Sequence, residues 1–495
     1  MLQTPVLKQK QAGIILITLG IFLFAFIVTF LYFNVIRIPG FPELLPSQET
    51  IGFVEFPTAL EDAFSQKLNE TLGVDWNKDV LPWAGEKSAL AILKDPFLLI
   101  QIRSLEQSFS FLRNFKNPSK EIHESKLSGI TAFSTPQIHF AFLSDVLVIA
   151  PSEKSLEIFL AHQSSFNQHL SSNSDFIRIR QNLGGPFFVY VKPRELHSGV
   201  YSLLSQTVPS MPFFTQAFPA LGISAEKQNN AWGGKSYAVL EKNLPSEPSF
   251  AYRAALLPLL PADIDMLISG QNLSSQLKKI DTLVPADTPL PKLAHLMKIF
   301  AQTYLPDTNF EKDIAPLITR EFALTAKGNN VLFVTEIADQ ILAAKIDALR
   351  SSFQKISGRF TPRAREIVLP DGTKAAELIP DSSKVKSFEE MFGGVEIKGF
   401  LFGKNGAVYD AFTQGKWFIS NDFETLKKAL QLTKETGPSF RESALYKDSL
   451  RPILKNPELA GVAVLPPGKF PGGIFSFSKR TLQDHMETNF IFVIR

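Results

Sequence analysis

The chain has 495 residues, 45% of them hydrophobic and 20% charged, with a formal net charge of +3. So small a charge gives no electrostatic pull on nucleic acid, and no nucleic-acid partner is expected. The chain has no cysteine, which excludes disulfides, thiol catalysis and Cys-ligated zinc or iron–sulfur centres.

The first element in chain order is residues 13–36, a run without a single charge. At about 1.5 Å per residue, a helix of that length reaches across a hydrocarbon core of roughly 30 Å. Lys8 and Lys10 precede the run and only Arg37 follows closely, so the basic flank predicts the N-terminus in the cytoplasm. The run exceeds the roughly 7–15 residues of a signal-peptide core, and Tyr32–Arg37 offers no small-x-small cleavage site. The reading is a cytoplasmic tail over 1–12, a transmembrane helix over 13–36 in contact with the lipid bilayer, and a juxtamembrane linker over 37–46. Residues 38–495 then lie outside the cytoplasm, anchored at the cytoplasmic membrane.

Beyond the linker, the chain reads as two copies of one pattern. Leu45-Pro46 and Leu260-Pro261 each open a segment with a strand, Thr50–Val54 in one and Asp265–Ile268 in the other. Trp76–Pro82 then matches Phe310–Pro316, and Ala89-Leu90 matches Ala323-Leu324. Hairpins follow, turning at Lys94-Asp95-Pro96 and at Lys327–Asn330. Next come helices: Leu105, Phe109 and Leu112 share one face behind Ser104, and Leu342, Ile346 and Leu349 share another behind Asp339. Val148–Ala150 matches Phe418–Ser420 as a strand, before helices capped by Ser152 and Asp422. Phe187–Val191 and Gly461–Leu465 are later strands, and each copy ends in a hairpin, Gly222–Leu240 and Gly473–Val493. The copies span 47–242 and 259–495, joined by a breaker-rich linker over 243–258. Interleaved antiparallel hairpins and capped helices predict an α+β fold class: a single N-terminal transmembrane helix followed by two duplicated α+β domains with antiparallel sheets.

The stretch Gly73–Glu86 carries Asp75, Asp79, Pro82, Trp83, Gly85 and Glu86 in the order D-(aromatic)-x-x-D-(aliphatic)-x-P-W-(small)-G-(acidic). It resembles the signature of a bacterial domain-of-unknown-function family of envelope proteins with an N-terminal membrane helix and a large external region. The resemblance implies topology and location, and no activity. The second copy keeps Asp313 and Pro316 but has Leu317 for the Trp and Thr319 for the Gly. The signature reads as structural: Asp79 forms an Asx turn, Pro82 a bend, and Trp83 buries.

No catalytic, cofactor-binding or metal-ligating set emerges. The seven histidines are His123, His139, His162, His169, His197, His295 and His485, and none has a zinc-site spacing. Gly222–Glu226 lacks the closing Gly of a nucleophile elbow, and Gly184-Gly185-Pro186 lacks a phosphate-binding Lys. Asp263, Asp265 and Asp287 suit turns, and Arg359, Arg363 and Arg365 suit a solvated loop. The expected function is non-enzymatic binding or scaffolding in the bacterial cell envelope, with an envelope protein or a glycan as partner and no cofactor. The alternatives are an envelope hydrolase drawing on His123, His139 or the Asp79–Glu86 region, and a carrier of an apolar ligand suggested by the 44 Phe.

Overall fold

Runs rich in Val, Ile, Phe and Tyr and broken by Gly, Asn and Asp pair with their neighbours in sequence, because short turns favour antiparallel ladders. The computed structural model describes residues 40–59, 75–114, 122–134, 139–162, 169–196, 218–241, 252–283, 309–337, 340–404, 406–434, 437–465, 472–482 and 484–494. The chain divides into two compact units, Met1–Ile177 and Arg178–Arg495.

The first unit holds β1 (Gly52–Pro57), β2 (Ala84–Ile92), β3 (Pro96–Ile102), β4 (His123–Leu127), β5 (Ile130–Ser134), β6 (His139–Leu143) and β7 (Val146–Ala150). They pair antiparallel in the order β1-β2-β3-β7-β6-β5-β4. The helices α1 (Leu105–Asn114) and α2 (Glu153–His162) follow β3 and β7. Ser152 starts α2 by accepting the Ser155 N–H at 3.1 Å. Phenylalanine builds much of this core: Phe109 meets Phe142 at 4.4 Å and Phe133 at 5.7 Å between ring centroids, and Phe97 meets Phe159 at 5.1 Å.

Helix α3 (Ser174–Asn182) contains the division between the units. The second unit holds β8 (Phe187–Val191), β9 (Leu221–Gln228), β10 (Ala231–Val239), β11 (Met266–Gln271), β12 (Glu321–Lys327) and β13 (Asn330–Glu336). The small hairpin of β14 (Arg363–Val368) and β15 (Lys374–Ile379) stands apart from the main sheet. Then come β16 (Lys386–Phe392), β17 (Val395–Phe402), β18 (Gly406–Thr413), β19 (Lys416–Ser420), β20 (Leu459–Leu465), β21 (Gly473–Thr481) and β22 (His485–Ile494). The order is β8-β9-β10-β22-β21-β20-β11-β12-β13-β19-β18-β17-β16, antiparallel throughout. Its stretch from β11 to β16 repeats, strand for strand, the order of the first unit.

Helices α4 (Leu273–Leu283), α5 (Gln340–Ser357) and α6 (Phe423–Leu432) pack on this sheet. The main core gathers Leu257, Leu267, Val334, Phe418, Leu426, Phe440 and Val462. A second cluster joins Ile346 and Leu349 of α5 to Trp417 and Leu317. Under α5, Arg350 Nε and Nη2 reach the Asp410 carboxylate at 3.0 and 2.7 Å, and Trp417 Nε1 reaches it at 2.9 Å.

Two expectations are corrected here. The fold is mostly antiparallel sheet, not the two duplicated α+β domains expected from the hairpins and capped helices, because the segments between the predicted hairpins form further meander strands, β4–β5 and β16–β17. The single transmembrane helix over 13–36 lies outside the described residues, and no helix among them is long and apolar enough to cross a membrane. The cap at Asp339, the insertion at Leu293–Phe300, Asp287, His197 and His295 also lie outside the described residues.

Candidate functional site

The signature folds into a tight turn that sets the start of β2. Trp76–Val80 makes one π-helical turn. Asp75 caps it: its Oδ1 accepts the Lys78 N–H at 3.2 Å, and Asp79 Oδ2 accepts the Asp75 N–H at 2.9 Å. The Lys78 amide, with the Lys78 ammonium at 3.3 Å, holds the Asp75 carboxyl below its ordinary value although burial opposes this. Trp76 and Trp83 are buried and each indole N–H is used, on Thr58 O at 2.8 Å and on Asp79 O at 2.7 Å. Arg103 Nη2 donates to Pro82 O at 2.8 Å, so the bend at Pro82 is clasped from β3's end.

The second unit builds the same turn at Phe310–Ile314. Asp313 Oδ2 accepts the Asn309 N–H at 2.8 Å, and Asn309 Oδ1 accepts the Lys312 N–H at 3.1 Å. Asn309 thus does the work of Asp75. Pro316 lies in the following 3-10 turn, where its carbonyl accepts from Thr319 Oγ1 at 3.0 Å. The conserved chemistry of this spacing is the closing of a turn.

Next to the turn the sheet opens. The pairing of β2 with β3 shifts register between Ala84 and Ser88, a bulge that frees Gly85 and Glu86 from regular pairing with β3. A cleft of about 630 Å³ results, lined by Ala59, Leu81, Gly85, Glu86, Gln101 and Arg103 among others. Gly85 lets Gln101 lie flat on it, since a Cβ would stand 2.8 Å from the Gln101 side chain. Glu86 is exposed, and its carboxylate has no hydrogen-bond or ion-pair partner among the described residues. Lys87 turns the other way, to the buried Glu55 at 3.1 Å.

The second unit has a smaller cleft, about 200 Å³, lined by Arg253, Ala255, Gln271, Thr319, Arg320, Glu321 and Glu336. Glu321 is buried, and burial holds its carboxyl above the ordinary carboxylate range against the amides that bond it.

The remaining candidates have settled partners. Asp263 pairs with Lys327 at 2.6 Å and Lys428 at 3.4 Å, and Asp265 accepts the Gly328 N–H at 3.1 Å, so both clasp a hairpin. Gly222–Glu226 is strand, with Ser224 buried. Gly185, at φ 131, turns the chain into β8. Arg365 meets Glu377 at 2.6 Å across the β14–β15 hairpin. His123 and His139 both pair with Ser134 across β4, β5 and β6, and neither bonds Asp79 or Glu86 among the described residues. His162 meets Glu49 at 3.1 Å. His485 lies between Asp484 at 2.7 Å and Glu487 at 3.4 Å, stacked on Tyr237 at 4.5 Å, and Arg178 bonds Asp484 and Tyr237. Among the described residues no three His, Asp or Glu converge as metal ligands.

One surface went unseen in the sequence. Strand pairing sets Trp232 beside Phe492 and Phe475, and Phe490 beside Phe477, on one face of β10, β22 and β21. Phe187 of β8 adds an edge contact to Trp232 at 5.3 Å. The rings are half-buried, with Phe475 37% exposed. Alternation along each strand could have signalled it; the lateral alignment of three strands could not be read without their register.

Residues 58–357 match the family described as "Protein of unknown function (DUF3352)". The match covers more than half of the chain, and the chain belongs to that family. A comparison with curated proteins gives no match. Among solved structures, the chain is similar to crystal form I of TP0453 at 13% identity, with 42% of this chain and 82% of that chain covered and a TM-score of 0.29. Crystal form III of TP0453 gives 13% identity, 43% and 84% coverage and a TM-score of 0.30. Likeness at that level carries no argument about fold or role.

Proposed function

We propose that this member of the DUF3352 family is a non-enzymatic binding or scaffolding protein of the bacterial cell envelope, and that the cleft beside the signature turn receives its ligand. The observation that carries the reading is Glu86, an exposed carboxylate without a partner among the described residues, at the rim of a cleft of about 630 Å³. Around it the other charges are committed, Arg103 to Pro82 O and Lys87 to Glu55. A site that holds one uncommitted charge against a mixed apolar and polar lining suits recognition better than bond chemistry, which needs an acid, a base or a nucleophile within hydrogen-bond reach of one another. The uncharged run at 13–36, with Lys8 and Lys10 before it, supports a place at the cytoplasmic membrane with residues 38–495 outside the cytoplasm. The sequence repeats at 47–242 and 259–495 would then present two related surfaces to the envelope.

The experiment is cross-linking and co-purification from native membranes, with full-length protein tagged at Arg495, wild type beside Glu86→Lys. A reproducible envelope protein or glycan lost in the variant supports the reading. Turnover of cell-wall or lipid substrates by the purified protein would sink it. A second reading, carriage of an apolar ligand, is favoured by the aromatic face of Phe475, Phe477, Phe490 and Phe492 alone; a lipid co-eluting with the wild type and absent after Phe475→Ser with Phe492→Ser would support it.

A further inference from the structure

The aromatic face of β10, β22 and β21 has a charged end. Side chains of one strand face recur every second residue, so the face of β21 that carries Phe475 and Phe477 continues into Lys479 and Thr481. Three of the rings lie over glycines of that face. A Cβ on Gly461 would stand 2.5 Å from the Phe477 ring, one on Gly234 2.4 Å from the Phe490 ring, and one on Gly473 3.0 Å from the Phe492 ring. The rings thus spread over the backbone as an aromatic floor, with Trp232 beside Phe492. Helix α4 borders the same face. Its Leu277 and Leu273 pack with Phe333, and strand pairing sets Phe333, Leu324, Ile268, Gly461 and Phe477 in one lateral row.

Beside α4 the charges do not balance. Glu458 receives Lys279 Nζ at 3.1 Å on one oxygen, and the Thr481 N–H at 3.3 Å and Gln276 Nε2 at 3.4 Å on the other. Both oxygens are thereby used, and Lys479 has no hydrogen-bond or ion-pair partner among the described residues. Lys479 is half-buried, and burial pushes its ammonium below the ordinary value; Glu458 opposes the shift and Lys279 adds to it. The Thr481 hydroxyl is buried and also without a partner among the described residues.

Two half-buried cations, one carboxylate and a spare hydroxyl leave room for one more negative charge. We propose that this face takes a single lipid with an anionic headgroup, the head on Lys479 and Thr481 and the acyl chain along Phe477, Phe475 and Phe492 toward Trp232. This rests on the second reading above, carriage of an apolar ligand, and names the ligand's class. Charge complementarity selects the head. An apolar chain alone would leave the ammonium and the hydroxyl desolvated and unpaired, which costs free energy. An anionic head gives both an acceptor and favours the charged form of Lys479. The floor has the length a chain needs: about 13 Å along β21 from Lys479 to Phe475, and about 10 Å across from β21 to β10.

The test is quenching of tryptophan fluorescence by a bromine-labelled stearate and by its uncharged methyl ester, with full-length protein in phosphatidylcholine nanodiscs. Trp76, Trp83 and Trp417 are buried, so Trp232 is the ring that a chain on this face would reach. Saturable quenching by the stearate is expected. Lys479→Met keeps the side-chain length and removes the charge; it should weaken binding about tenfold, the worth of one charged hydrogen bond. Lys479→Arg should restore it. The methyl ester should bind the wild type about tenfold more weakly and ignore Lys479→Met. Lys479 is unpaired among the described residues, so the variant should keep the wild-type Tm. Quenching by both probes alike, unmoved by Lys479→Met, overturns the anionic headgroup and leaves the apolar-ligand reading standing. No quenching, or quenching that survives Phe475→Ser with Phe492→Ser, overturns both.

Discussion

Glu321 accepts the backbone N–H of Leu256 at 2.9 Å, tying the segment ahead of β11 to the first residue of β12. The bond is buried, and the carboxyl group also faces Glu336 across the ladder.

Burial raises the Glu321 carboxyl above its ordinary value of 4.5, and Glu336 adds to the rise while the amides of Leu256, Ala255 and Arg253 oppose it. The native state then keeps its proton to higher pH than the unfolded chain does. The resulting stability is fully present below about pH 4.5 and is lost as pH rises through the raised native value. Urea unfolding of wild type and Glu321→Gln across pH 4–8 checks this. The wild type should lose stability relative to the variant as pH rises, and a constant difference would refute the assignment.

Arg350 and Asp410 form an ion pair whose side chains are 15% and 3% exposed. Burial works to lower the Arg350 pKa, and the bonds to Asp410 more than offset it, leaving the guanidinium firmly charged. Asp410→Ala should cost about 1–3 kcal/mol, because it leaves the Trp417 N–H unpaired and the Arg350 guanidinium with Asp347 alone. Arg350→Met with Asp410→Leu should cost less than the two single changes combined. A double-mutant cycle in guanidinium measures the coupling.

Trp83 donates its indole N–H to Asp79 O at 2.7 Å. Trp83→Phe keeps most of the ring and removes the donor, so about 0.5–1.5 kcal/mol should be lost, the net contribution of one hydrogen bond. Trp83→Leu, which copies Leu317 of the second unit, should cost about 3–5 kcal/mol through the cavity it opens. Differential scanning calorimetry compares the three.

Gly234 and Gly233 are neighbours in β10 with opposite tolerance. A Cβ on Gly234 would overlap the Ser224 carbonyl and the Phe490 ring, whereas one on Gly233 meets nothing within 4 Å. Gly234→Ala should destabilise by about 1–3 kcal/mol, and Gly233→Ala should be nearly neutral. Equal effects on Tm would contradict the register of β10 with β22.

The hairpins around Asp95 and Gly328 were legible because apolar runs flank turn residues, and the Asp79 and Asp313 turns because the same spacing occurs twice. Their caps could be named from residue type alone, as at Ser152 and Asp422. The clefts were not legible. Lys87 and Glu321 hold equivalent strand positions with opposite charge, and nothing in either sequence says that one reaches Glu55 and the other a backbone nest until strand pairing places them. Part of the strand content was missed for a related reason: β4 and β16 are half-exposed strands rich in Lys, Glu and Ser, with too little apolar alternation to declare themselves.

The pairing of β10 with β22 along its full length, Ala231 to Val239 against Val493 to His485, sets an order in time. During synthesis β10 leaves the ribosome about 250 residues ahead of β22, a wait of roughly 10–50 s at ordinary elongation rates. Through that interval the strand carrying Trp232 has one neighbour, β9, and an open edge toward any other nascent chain. The second unit therefore cannot finish its sheet piece by piece as it emerges, and a translation stall before His485 should yield a product that depends on chaperones to stay soluble.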